Sequence, residues 1–128
     1  MDMSESPHRP EEQTEDPLSI AAARIEEAHR SLASVLDLIG LGLTELPESI
    51  ARLSQLHVLR LDDNQLTALP ESIGQLSQLV GLNLSDNQLT ALPESVGQLS
   101  QLNALILNDN QLTMLPESLR NLTWLERL

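Results

Sequence analysis

A block of 23 residues recurs in strict phase along this chain, and that period excludes most ways a chain of 128 residues could fold. Leu56–Gln78 reads LHVLRLDDNQLTALPESIGQLSQ, returns nearly letter for letter as Leu79–Gln101, and returns more loosely as Leu102–Trp124. Asn64, Asn87 and Asn110 mark the register. Around them stand Leu56, Leu59, Leu61 and Leu66, then Leu79, Leu82, Leu84 and Leu89, then Leu102, Leu105, Leu107 and Leu112. A unit this short cannot enclose its own leucines, so successive units must stack and bury them against one another. Composition agrees: Trp124 is the only aromatic residue, and a compact globule usually fills its centre with several such side chains. A thin repeated interior can be filled by leucine alone.

The pattern L-x-x-L-x-L-x-x-N-x-L, filled three times in phase, resembles the leucine-rich repeat family over about residues 33–128. The resemblance implies an α/β fold, a right-handed leucine-rich repeat solenoid with a concave parallel β-sheet. Its repeats run 33–55, 56–78, 79–101 and 102–124, with a truncated fifth at 125–128. The first is degenerate: Ala33 replaces the leading leucine and Leu41 replaces the asparagine. If the asparagine serves backbone groups of an adjoining turn, the first unit has no earlier turn to serve. Leu41 and Ala33 are then expected to pack beneath a cap.

Residues 1–16 hold two prolines, six acids and few apolar side chains, which predicts a disordered acidic leader. Asp16-Pro17 then reads as an N-cap followed by a first helical residue. The spacing predicts an N-terminal capping helix over 17–32, with Leu18, Ala22, Ile25, Ala28, His29 and Leu32 on its packed side. Leu125–Leu128 begins a further unit whose open end would expose an apolar face, so the natural chain is expected to continue past Leu128, with self-association through that end as the alternative.

Charge and composition narrow the function. A net charge of −12, without a single lysine, argues against nucleic-acid binding. No stretch reaches the length of a membrane span, and the amino terminus does not look like an export signal, so the expected location is cytoplasmic. No cysteine is present, the three histidines share no spacing, and no phosphate loop or nucleophile elbow occurs. We therefore expect no enzyme activity, no cofactor and no resident metal.

In Val58–Asp62 the strand period of two turns Leu59 and Leu61 inward and Val58, Arg60 and Asp62 outward. Strands of successive repeats should lie parallel, about 4.8 Å apart. Pro70-Glu71-Ser72 then begins a short helical turn on the outer curve. Repeats two and three differ only at His57/Val80, Val58/Gly81, Arg60/Asn83, Asp62/Ser85 and Ile73/Val96. Most of the variation thus falls in or beside the strand, while Pro-Glu-Ser on the outer curve is constant. This predicts a recognition surface of Val58, Arg60, Asp62, Asp63, Asn83, Ser85, Asp86, Ile106, Asn108 and Asp109, with Asn64, Asn87 and Asn110 structural. The surface reads as small, flat and acidic, with Arg60 its one base, and calls for a protein or peptide partner rich in Lys or Arg. The column Asp63, Asp86, Asp109 could attract a divalent cation, but it lacks the crowded oxygen cage calcium prefers.

The frame is similar to intracellular family members such as Ras-binding scaffolds and the repeats preceding Roc GTPase domains. That likeness implies a small GTPase among the candidate partners. The abrupt end at Leu128 motivates an alternative, in which the segment is expected to be the recognition arm of a larger enzyme, such as a Roc-type GTPase or a bacterial ubiquitin-ligase effector.

Overall fold

The computed structural model describes residues 16–122. Of the acidic leader expected over 1–16, residues 1–15 lie outside the described residues, as does the start of a fifth repeat at 125–128. Helix α1 (Pro17–Ser31) is followed by strands β1 (Val35–Asp37), β2 (Val58–Arg60), β3 (Gly81–Asn83) and β4 (Ala104–Ile106). The four strands form one parallel sheet in sequence order, with Leu36, Leu59, Leu82 and Leu105 in register. Each strand is followed on the outer curve by a 3₁₀ turn: Glu48–Arg52, Glu71–Gln75, Glu94–Gln98 and Glu117–Asn121. The result is a solenoid with a concave parallel sheet and an N-terminal capping helix.

The strands are three residues long because the coil must turn almost at once to return to the outer curve. Leu59, Leu61, Leu66, Leu69, Ile73 and Leu76 of one coil are all buried, as are their counterparts in the next. Proline precedes each 3₁₀ turn as its cap, in extended conformation (Pro70 φ −70°, ψ 153°), one residue earlier than the sequence reading placed it. Asp and Gly carry the turn after the strand. Asp63, Asp86 and Asp109 sit at φ near +60°, and Gly40 takes the same place in the first coil at +66°. This left-handed backbone is cheap for Gly and tolerated by Asp, whereas other side chains meet a steric penalty of about 1–2 kcal/mol.

The asparagines tie coil to coil. The Asn87 amide nitrogen donates to Leu61 O and Leu84 O, both at 3.0 Å, and its oxygen accepts from Leu66 N at 3.0 Å. Asn64 and Asn110 repeat the pattern toward the coil before each of them. Every asparagine bond between coils reaches the coil before it, so Leu41 in the first coil has no such duty, as the sequence implied. There the Asn64 oxygen also accepts from Leu41 N at 3.0 Å.

Helix α1 starts where Asp16 accepts from Ser19 N at 2.7 Å, and it ends in a left-handed Leu32 whose N–H donates to Ala28 O and His29 O. The helix packs on the first coil through Ala21, Ile25 and Ala28. This corrects the expected face. Ala22 and Leu32 are exposed, Leu18 is 41% exposed and His29 is half-buried. Ala21, Ala22 and Ala23 are interchangeable in hydropathy, so the stripe alone left the rotation open. The two buried alanines let the helix backbone approach the coil closely. Ala33 and Leu41 are half-buried against the same core. Among the described residues no helix is long and apolar enough to cross a membrane.

Candidate functional site

The sheet register sets the inner face as three rows across the strands. Val35, Val58, Gly81 and Ala104 form one row, and Asp37, Arg60, Asn83 and Ile106 form the row two residues on. The leucines between them point into the core, as the alternation of a strand requires. Val58, Arg60, Gly81, Asn83, Ala104 and Ile106 line a shallow hollow of about 320 Å³ on this face. Gly81 and Ala104, which strand alternation already places beside Val58 on this face, belong to it although neither is among the residues expected to contact a partner. A glycine opening a strand is the signal that singles out Gly81.

Part of the second row is spent on ending the strands. The Asp37 carboxylate accepts from Ile39 N at 2.9 Å, and the Asn83 oxygen accepts from Ser85 N at 3.0 Å and from the Ser85 hydroxyl at 2.9 Å. Such side-chain turns satisfy the backbone where the ladder stops. Arg60 cannot accept, and in its coil the guanidinium instead donates to Asp62 at 3.2 Å. No described residue pairs with the Asn83 amide nitrogen. Arg60, about half-exposed, and Asn83 both line the hollow and bring hydrogen-bond donors to it.

Asp62 and Ser85, expected to face outward, are buried at 7% and 9% exposure. The three-residue strand explains this correction: past Arg60 the chain is already turning, and Asp62 and Ser85 fold back onto Arg60 and Asn83. The other Asp62 carboxylate oxygen is buried without a partner among the described residues. Ile106 is half-buried, and Asn108 is exposed and donates to the Asp109 carboxylate at 2.9 Å.

The third row supplies the negative charge. Asp63, Asp86 and Asp109 are exposed along the rim of the sheet. Partial loss of hydration raises the pKa of Asp86 above the usual aspartate value, and repulsion from Asp109, Asp63 and Asp62 and a hydrogen bond with Asp63 raise it further. Apart from Asp37 on the first strand, the exposed acidity of the inner face lies on this rim, while the hollow itself is lined by neutral and apolar residues and one arginine. Among the described residues no group of three or more His, Asp or Glu side chains is arranged to hold a metal ion.

In the second and third coils the outer curve is packed too tightly for a side chain at the glycine position. A Cβ on Gly74 would stand 2.6 Å from Ser95 O, and one on Gly97 would stand 2.4 Å from the Ser118 Cβ. Consecutive 3₁₀ turns stack this closely, and the Ser118 hydroxyl donates to Glu94 O at 2.7 Å across the stack.

The family model for a leucine-rich repeat region matches residues 34–128. No curated protein matches the sequence. Among solved structures, the chain is similar to the leucine-rich repeat domain of the type III effector XopL, at 31% identity and a TM-score of 0.79, over 91% of this chain and 44% of that one. It is similar to YopM from Yersinia enterocolitica, at 36% identity and a TM-score of 0.71, over 84% of this chain and 22% of that one. A leucine-rich repeat protein of Leptospira interrogans shares 34% identity at a TM-score of 0.59, over 80% of this chain and 33% of that one. The chain spans less than half the length of each of these proteins. With its 23-residue frame, asparagine ladder and stacked parallel strands, the chain belongs to the leucine-rich repeat family, whose repeat regions serve as protein-interaction modules.

Proposed function

We propose that this chain is a non-catalytic binding module that grips a protein or peptide on the inner face of its sheet. The observation that carries this reading is the hollow over β2, β3 and β4, where apolar surface and hydrogen-bond donors lie together on the face where the repeats differ. The partner presents Lys or Arg to the rim of Asp63, Asp86 and Asp109, and an apolar group to the centre. Association weakens with added salt, because exposed charges are screened. Cytoplasmic action fits the cysteine-free sequence, and a basic surface on a small GTPase is one partner of this kind.

The test is a pull-down with the wild-type chain, with Arg60→Glu plus Asp86→Lys, and with the outer-curve pair Glu71→Gln plus Glu94→Gln. The inner-face pair should lose its partners and the outer-curve pair should keep them; the reverse pattern overturns the proposal. The likeness to a domain of a type III effector supports a second reading, in which the module is the recognition arm of a larger protein. Fusion to an enzymatic domain would leave the inner-face contacts as described. An activity whose targets do not change when those contacts are removed counts against this second reading.

A further inference from the structure

Gly81 is a glycine that the fold does not require. Its φ is not positive, and a Cβ there would meet only a Val58 methyl at 3.9 Å, an ordinary contact. Its register neighbours carry valine at Val58 and alanine at Ala104, so the strand accepts a side chain at this position. A glycine inside a strand gives up packing and adds chain entropy to the unfolded state. Gly74 and Gly97, in contrast, are held by clashes with the next coil. What the missing side chain creates at position 81 is the floor of the hollow. Val58 and Ala104 form its walls, Ile106 lies diagonally across, and the Arg60 and Asn83 donors stand at one side.

Resting on the binding reading above, we propose that Gly81 is the floor of a specificity pocket for one branched aliphatic side chain of a partner peptide, with a Lys or Arg close to it in that peptide. The shape fits a single side chain. An incoming methyl group would contact Val58, Ala104 and Ile106 with nothing beneath it but backbone, and burying it supplies the apolar part of the affinity. Arg60 and the Asn83 amide donate to the peptide's main-chain carbonyls beside the anchor. They fix its position, since desolvated donors discriminate more sharply than apolar contact. The neighbouring base answers the rim, where Asp63 and Asp109 flank an Asp86 that already feels their repulsion. An acidic partner would meet that rim with like charge, and a fully apolar one would leave it unanswered.

The experiment pans a random peptide library displayed on phage against the whole chain, then measures the recovered peptides on wild type, Gly81→Val, Gly81→Ala and Arg60→Glu. Peptides carrying Ile, Val or Leu near Lys or Arg are expected. Gly81→Val should weaken them at least about tenfold, as filling an anchor pocket does, with Gly81→Ala intermediate. The melting temperature of Gly81→Val should be unchanged or higher, which separates a filled pocket from a damaged fold. Full binding to Gly81→Val overturns the pocket, and if Arg60→Glu still abolishes binding, the inner face survives as the site without it. Peptides indifferent to Arg60→Glu as well overturn both proposals. Recovery of no peptide, or of peptides lacking an aliphatic–basic pair, overturns the pocket, as does sedimentation revealing a self-associated chain that Gly81→Val returns to monomer.

Discussion

The outer curve and the inner face of this solenoid are built from the same repeats, yet physics constrains them differently. On the outer curve, Gly74 and Gly97 face the backbone or side chain of the next 3₁₀ turn at distances no Cβ could occupy. On the inner face, Gly81 stands between a valine and an alanine, where a Cβ would make only an ordinary contact with Val58 at 3.9 Å. Gly74 and Gly97 are therefore held by packing, while the end coils carry Ala51 and Arg120 in that phase. Variation inside is permitted by the fold, and variation alone does not establish a recognition surface. Gly81 carries more weight than the other differences because it runs against strand preference without any steric reason.

The largest effect that would sharpen the contrast lies in the core between the two surfaces. Leu82→Ala should cost about 2–5 kcal/mol, the range for a leucine buried among other side chains, whereas Val58→Ala on the inner face should cost well under half of that. Urea denaturation of both variants checks this. Equal losses would mean that the inner row belongs to the core and presents no surface.

Next in size is the ladder that joins the coils. Asn87→Ala would leave the buried N–H of Leu66 without its partner, at about 1–3 kcal/mol. It would also take one of two donors from each of the Leu61 and Leu84 carbonyls, which keep Asn64 and Asn110. Asn110→Ala should cost less, because Asn110 is only half-buried and water can replace its bonds. Thermal unfolding of the two variants side by side tests the ranking.

The ladder, the buried leucines and the parallel register were all legible in the sequence for one reason: a strict period makes every residue's neighbour a copy of itself. What breaks the period was not. The three-residue strand, and with it the burial of Asp62 and Ser85, depends on how Arg60 and Asn83 end their strands, which differs from coil to coil. The aspartate column was read for its charge alone, and its left-handed backbone was missed although Gly40 in the same phase hinted at it. The helix face was ambiguous because Ala21, Ala22 and Ala23 offer three equivalent rotations. The hollow was missed because glycine contributes nothing that a search for chemical groups can register.

The smallest effect concerns the rim. Asp86 has a raised pKa in the folded chain, so the native state binds its proton more readily than the unfolded chain does. Stability linked to Asp86 therefore falls as pH rises through its folded-state value, and the full cost is present at neutral pH. Asp86→Asn, which keeps a residue tolerant of positive φ, should raise the melting temperature slightly at neutral pH. The gain should vanish below the ordinary aspartate pKa of about 3.9 and shrink with added salt. A gain that persists at low pH would point to some cause other than charge.

Gly97 and Gly81 differ in what stands opposite them, and melting Gly97→Ala beside Gly81→Ala measures that difference directly. Opposite signs are expected. Gly97→Ala should be destabilised by about 1–3 kcal/mol as its Cβ is forced against Ser118, and Gly81→Ala should be unchanged or stabilised by about 0.5–1 kcal/mol. If both variants lose stability to the same extent, position 81 is held by packing after all, and the open hollow on the inner face has no basis.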